Sequence, residues 1–321
     1  MIANGWKLTG ASVYSGGDRV VHLNLTSDES EFGFPLVIPQ NETERLLTEY
    51  LADNKVTVER PGELVTFHQQ ADEVYCTLRN PNGQLEETST PWLLGCDGAH
   101  SAVRHGLGLE FTGKTEPNEF MLAYVDIDGP LSKSEISVFW HDDRVIAFFP
   151  LNSHRFRMLA DLRAGTGQTP LSDVTLARVQ AIADRRRPGG LTISNPYWLS
   201  YFRINERKVS KYSAGRVLLA GDAAYIHRPA GGPGMNTGMQ DTFNLAWKLA
   251  LIEQSQGKAE PLLESYSVER SAVGDRVLKN AERFTTLATI QSPAARWLRN
   301  HIIPVLGSFA MVQDRIHDER F

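Results

Sequence analysis

Cysteine is scarce, with two in 321 residues. That excludes a disulfide framework and any cysteine-rich metal site, and Cys76 and Cys96 read as buried thiols of a reducing, cytoplasmic compartment. Long apolar runs are also missing. The most apolar uncharged stretch, residues 302–312, holds Pro304 and Gly307 and is too short to span a bilayer. The N-terminus, from Met1 to Trp6, lacks a basic segment followed by an apolar one, which predicts no signal peptide. Positive charge is not in excess. The 33 Lys and Arg against 38 Asp and Glu give a net −5, a poor match to phosphate backbones, so nucleic acid is not expected as a partner. No internal repeat or low-complexity segment occurs. What remains is an ordinary globular composition with length for about two domains, each with its own core.

The patterning predicts two short strands within residues 11–26, joined by the glycine turn Ser15-Gly16-Gly17-Asp18. A helix opens at Pro39-Gln40-Asn41, with Asn41 and Glu44 spaced as a capping box and Leu46, Leu47, Tyr50 and Leu51 on one apolar face. Residues 56–90 read as strands, with Val74, Cys76 and Leu78 alternating with polar neighbours and a hairpin turn at Pro81-Asn82-Gly83. Trp92-Leu93-Leu94-Gly95-Cys96 and Val217-Leu218-Leu219-Ala220 are short continuous apolar runs, the pattern of strands buried on both faces in a parallel sheet. Between them, strands at 121–128, 135–140, 144–149 and 155–162 predict an antiparallel meander. A helix follows at 172–186 and strand returns at 192–209. Helical pattern then dominates 235–256, 260–290 and 294–318.

Two segments carry chemistry. In the first, a buried strand runs into Gly221-Asp222-Ala223-Ala224, then Pro229-Ala230-Gly231-Gly232-Pro233-Gly234-Met235-Asn236 opens a long helix. The strand delivers Asp222 to its carboxyl end, where open α/β sheets bind ligands. The small pair admits a ligand close to the backbone, the glycines turn without a Cβ, and the helix aims free N–H groups and its positive end into the crevice. The glycines alone would suit any tight connection; the order strand, Asp, small pair, glycine loop, helix singles this one out. In the second, the other apolar run ends in Asp97-Gly98-Ala99-His100-Ser101, with Arg104 one turn into a helix. Asp97 can accept from ligand hydroxyls or orient its own backbone, and Arg104 is a phosphate-type partner. An Asp-Gly turn that merely caps a helix is the plain alternative.

Taken together, these segments resemble the Asp-Gly and Gly-Asp fingerprints of the FAD-dependent aromatic-ring monooxygenases, the p-hydroxybenzoate hydroxylase and phenol hydroxylase family. Further matching residues are Gln40 with Glu44 and Leu47, Phe149-Pro150, Gly215-Arg216, Asn236, Gly238 and Asn244-Leu245-Ala246-Trp247-Lys248. The resemblance implies a mixed α/β fold: an FAD-binding, Rossmann-like parallel sheet, an antiparallel substrate-binding sheet and C-terminal helices. It implies boundaries of 1–115 for the first part of the FAD-binding domain, 116–209 for the substrate sheet, 210–257 for the return segment and 258–321 for the helical region. Asp222 would bond the ribityl chain of FAD, with Gly221 in its turn. Gly232, Gly234, Met235 and Asn236 would meet the flavin N1 and O2 edge, Gln40 would lie on the flavin side, and Pro229 near the ring where substrate stacks. Asp97, Gly98 and Arg104 would lie by the pyrophosphate and the NAD(P)H route. In that family NAD(P)H reduces FAD, oxygen adds to give a C4a-hydroperoxide, and a phenolic substrate takes the distal oxygen. A homodimer is compatible with this reading.

The sequence also departs from the family. No G-x-G-x-x-G unit precedes the matched region, so the resemblance implies an N-terminally shortened chain that holds FAD weakly by itself, with both apolar runs short of apolar neighbours. Tyr225 stands where the family usually has His, and Pro233 where it often has Gln. The alternatives are another flavoprotein of this architecture (an epoxidase, halogenase or reductase) or an inactive truncated remnant. No lysine and tryptophan motif of the halogenase type is found.

Overall fold

The computed structural model describes residues 1–141, 144–162, 174–187, 189–227 and 234–288, without the side chains of 116–118 and 277–288. The chain divides into two compact units. The first comprises Met1–Thr57, Pro117–Arg203 and Thr286–Phe321, and the second Val58–Glu116 and Ile204–Thr285. Residues 1–57, grouped by the sequence reading with the first part of the FAD-binding domain, thus cluster with the antiparallel sheet.

The first unit opens with β1 (Trp6–Lys7), β2 (Gly10–Ser15), β3 (Asp18–Asn24), β4 (Leu36–Val37) and α1 (Gln40–Asp53). β2 and β3 form the expected hairpin, closed by the pair Ser15 and Asp18. Gly16 and Gly17 in its turn have φ of +63° and +96°, the two left-handed positions that such a turn needs. The capping box does not form. Pro39 is the N-cap, Asn41 lies inside the helix, and no side chain caps its start. The proline sets the entry angle instead, and Gln40 Nε2 donates to Glu44 at 3.3 Å. The apolar face of α1 is not buried either, since Leu47 and Tyr50 are exposed.

In the second unit β5 (Glu63–Gln69), β6 (Val74–Arg79) and β7 (Leu85–Thr90) make a three-stranded antiparallel sheet. Its hairpin turn is held by Asn80 Oδ1, which accepts from the backbone of Asn82 and Gln84. Then come β8 (Leu93–Gly95) and α2 (Ala102–Gly106).

β9 (Thr112–Asp128), β10 (Glu135–His141), β11 (Arg144–Pro150) and β12 (Arg155–Leu162) follow, then α3 (Leu176–Arg186) and β13 (Thr192–Lys208). The large sheet of the first unit has the order β13-β9-β12-β11-β10-β2-β3. β10, β11 and β12 form a meander as predicted, but β9, expected as its first strand, pairs with β12 instead of β10, and β2 takes the place beside β10 in parallel. Alternation explains its core. Met121, Ala123 and Val125 of β9, Ile146 and Phe148 of β11, and Phe156, Met158 and Ala160 of β12 pack with Val179 and Ala183 of α3. The helix expected from residue 172 is seen from Leu176, with Thr175 as N-cap; 172 and 173 lie outside the described residues.

The second unit resumes with β14 (Ser213–Ala214), β15 (Val217–Leu219), β16 (Tyr225–Ile226), α4 (Gly234–Glu253) and α5 (Ala259–Ala288). A small sheet has the order β14-β15-β8, with β15 and β8 parallel. The two apolar runs fare differently in it. Val217, Leu218 and Leu219 are fully buried, among Val74, Val103, Leu245 and Tyr266, whereas β8 lies at the edge with Leu94 exposed. Cys76 is buried as expected, but Cys96, just beyond that edge, is exposed. The helical pattern at 294–318 lies outside the described residues. No described helix is long and apolar enough to cross a membrane.

Phe148 has no exposed surface, while Phe243 on α4 is 78% exposed. Phe148→Ala is expected to lower stability by about 3–5 kcal/mol and Phe243→Ala by no more than about 0.5 kcal/mol, as read from urea unfolding curves. Equal losses would contradict the core assignment.

Candidate functional site

The two acidic strand ends come together in the second unit. β15 pairs with β8 in parallel, Val217 opposite Leu93 and Leu219 opposite Gly95. Parallel neighbours end at the same sheet edge, so Asp97 and Asp222 both leave the carboxyl ends of adjacent strands. The Ala220 N–H donates to Gly95 O at 3.0 Å and continues the ladder to that edge. Gly95 is required there, because a Cβ on it would stand 2.7 Å from the Val103 Cβ.

The two carboxylates are used differently. Asp97 is committed internally: it accepts from Ser101 Oγ at 2.5 Å and from the Val103 N–H at 3.2 Å. Ser101 in turn caps α2 by accepting from the Arg104 N–H. Gly98, at φ +80°, makes the turn between them. Arg104 is buried, and its guanidinium donates to Ala223 O at 3.1 Å and Ala99 O at 2.8 Å while lying 3.9 Å from the Phe111 ring centre. Burial pushes its pKa down, with Asp97 opposing. Through these two carbonyl contacts Arg104 straps the Asp97 turn to the Asp222 turn, while its Nε is buried without a hydrogen-bond partner.

Asp222 makes no hydrogen bond among the described residues and is exposed. The protein atoms crowded around it nevertheless raise its pKa above the ordinary carboxylate range, with His227 pulling the other way. It sits in a tight turn, Gly221–Ala223, whose first residue has φ +59°. Beside that turn lies the start of α4. A Cβ on Gly238 would stand 3.4 Å from the Gly221 Cα, so the glycines keep helix and turn in contact. Met235 and Asn236, in the first turn of this 20-residue helix, are exposed. Gly231, Pro233, Pro229 and Gly232 lie outside the described residues. Gln40 belongs to the first unit, exposed at the start of α1.

Sequence reasoning missed the residues that hold this turn. Asp241 on α4 is fully buried and accepts from the Gly221 N–H at 3.0 Å and from Arg270 Nε of α5 at 2.5 Å. Arg270 also donates to Thr237 O. Burial raises the Asp241 pKa, and the Gly221 and Arg270 donors oppose it. Two turns further on, fully buried Lys248 donates to Glu269 and Ser265 at 2.8 Å each, and Asn244 bonds the same Glu269 oxygen. Tyr266 Oη donates to Leu219 O at 2.7 Å. The available signal was a set of charges inside otherwise apolar helical faces.

The donor set fits FAD. An exposed carboxylate that makes no hydrogen bond among the described residues suits ribityl hydroxyls. The free N–H groups and positive end of a long helix suit the electron-rich edge of a flavin. The comparisons agree with this reading. The family described as "FAD binding domain" matches residues 3–281. The chain is similar to 6-methylpretetramide 4-monooxygenase of Streptomyces rimosus, 32% identical over 298 residues, covering 92% of this chain and 53% of the relative. It is also similar to pentachlorophenol 4-monooxygenase of Sphingobium chlorophenolicum, at 32% identity, covering 83% of this chain and 49% of the relative. The chain thus spans about half the length of these curated relatives. Among solved structures, the anhydrotetracycline hydroxylase OxyS from Streptomyces rimosus matches with TM-score 0.77 and 29% identity, covering 95% of this chain and 60% of that one. The p-nitrophenol 4-monooxygenase PnpA from Pseudomonas putida shares the fold, with TM-score 0.83 and 22% identity, covering 97% and 80%.

Asp241→Leu strands the Arg270 charge and is expected to cost about 3–5 kcal/mol. Adding Arg270→Met should recover part of that loss in a urea double-mutant cycle; additive losses would contradict the pairing. Lys248, first among its contacts, holds the Glu269 pKa below the ordinary range. That stability is present above the unfolded carboxyl pKa of about 4.3 and is lost as pH falls through the lowered folded value. Wild type should therefore exceed Glu269→Gln in melting temperature at pH 7, with the gap closing below about pH 4; a gap independent of pH would refute the clamp.

Proposed function

Because the chain belongs to the FAD binding domain family, we propose that its second unit holds the ribityl and ring-edge half of FAD. We further propose that it works in an NAD(P)H- and O2-dependent monooxygenase for a phenolic or related aromatic substrate. The observation that carries the cofactor part is the contrast between the paired carboxylates. Both are exposed, but Asp97 is spent on its own helix start, whereas Asp222, just past the end of the neighbouring parallel strand, makes no hydrogen bond among the described residues. The reaction class is supported by the names of the relatives, which are monooxygenases of aromatic compounds.

In this reading Asp222 accepts from the ribityl hydroxyls, and the first-turn N–H groups at Met235 and Asn236 face the ring edge. Bound FAD supplies the redox centre that accepts hydride from NAD(P)H and activates oxygen. The positive end of α4 favours negative charge on the adjacent ring edge. Asp241, Arg270 and Arg104 are positioning residues: they fix the Gly221 turn against α4 and against the Asp97 turn. Gly234 keeps the start of that helix close to His227, since a Cβ there would stand 3.2 Å from Nε2.

Asp222→Ala tests the site. Hydrogen bonds to a charged acceptor contribute roughly 1.5–3 kcal/mol each, so flavin affinity should fall about 10- to 150-fold. Fluorescence titration with FAD reads this, with circular dichroism as the check on folding. Unchanged affinity in a folded variant would refute the assignment.

A further inference from the structure

The large sheet of the first unit has a second face, opposite the one packed by α3. Strand alternation puts Tyr124 of β9, Arg157 of β12 and Phe149 of β11 on it, and these three pair directly across neighbouring strands. The row continues to Trp198 of β13, whose ring centre is 5.8 Å from that of Tyr124. A parallel contact between Phe120 and Phe202, at 5.7 Å, lies on the same two strands. At about 4.8 Å between strands, a row across four strands extends about 14 Å. That is a face of aromatic rings wider than a single benzene ring.

Arg157 stands inside this row and is the odd member. It is half-buried; its Nε is buried without a partner, and its guanidinium makes no hydrogen bond or ion pair among the described residues. Its one ring contact places it 5.2 Å from the centre of Tyr124. The charged neighbours on this face are already matched. Arg155 bonds Asp126 at 3.1 Å and lies over the Tyr197 ring, Asn195 bonds the other Asp126 oxygen, and Asp161 is taken by Arg186 and the Val145 N–H. A half-buried cation with unused donors, set among ring faces, complements a planar anion.

We propose that Arg157 is the specificity-determining anchor for the substrate: it takes the ionised hydroxyl of a fused-ring aromatic whose rings lie across Tyr124 and Trp198. This rests on the aromatic monooxygenase reading, but it is tested without flavin or turnover. The full chain is titrated with 1,2-dihydroxyanthraquinone and, separately, with p-nitrophenol, both of which change visible absorbance on ionisation. Wild type should bind the fused-ring dye more tightly than p-nitrophenol and lower its apparent pKa by about one unit or more, a tenfold preference for the anion. Arg157→Met should bind the anion about tenfold more weakly and leave the dye pKa at its solution value, and Arg157→Lys should retain part of the shift. Circular dichroism confirms that both variants fold. A folded Arg157→Met that keeps the affinity and the shift overturns the anchor, as does a wild type that binds neither probe. Tighter binding of p-nitrophenol overturns the fused-ring class. Dye binding that persists in a chain that takes up no FAD counts against the flavoenzyme reading and supports the role of Arg157.

Discussion

One buried carboxylate organises the second unit. Asp241 has no exposed surface, yet it takes the Gly221 N–H with one oxygen and the Arg270 guanidinium with the other. A strand end, the body of α4 and the middle of α5 are thereby tied at a single point. An isolated charge at that depth would be costly, so the pair stands or falls together. The Gly221 turn, Asp222 within it and the first turn of α4 take their positions from this contact. Tyr266, four residues before Arg270, fixes the same strand by bonding Leu219 O.

The paired acidic strand ends show how similar local patterns serve different purposes. Both follow a short parallel strand and both stand next to glycine. The Asp97 turn is committed to its own framework: its carboxylate, although exposed, joins Ser101 and Arg104 in satisfying backbone groups that a short helix and two tight turns would otherwise leave unmade. The Asp222 turn faces outward and leaves its carboxylate for something else. Framework and open acceptor sit side by side, and the framework is what lets the acceptor be held still.

Much of this was legible in the sequence, for reasons that differ by element. The β2–β3 hairpin and the strands of the large sheet were visible because turn glycines and two-residue alternation are local signals, whereas the place of β9 beside β12 instead of β10 is a tertiary pairing that alternation does not report. The Asp-Gly and Gly-Asp turns were visible because a short apolar run followed by acid and glycine has few structural meanings. The capping box at Asn41 failed because Pro39 fixed the helix start two residues earlier, and the exposure of Cys96 was hidden because being at the sheet edge is a tertiary fact. Asp241, Arg270 and Glu269 were missed for the same reason: their roles come from α4 packing on α5 across about 20 to 30 residues of sequence, and no spacing rule reports that. Arg104 reads as a phosphate partner because its chemistry allows it; its packing against Phe111 and its bonds to two carbonyls are tertiary facts that the sequence does not report.

The central claim is that the outward turn and the start of α4 together form the flavin-facing surface. Backbone amide hydrogen exchange, followed with and without FAD, addresses it most directly because it reports each segment separately. The account predicts slower exchange on FAD addition at residues 221–224 and 234–238, with the β2–β3 hairpin unchanged. Exchange left unaltered at both of those segments while FAD is bound would contradict it.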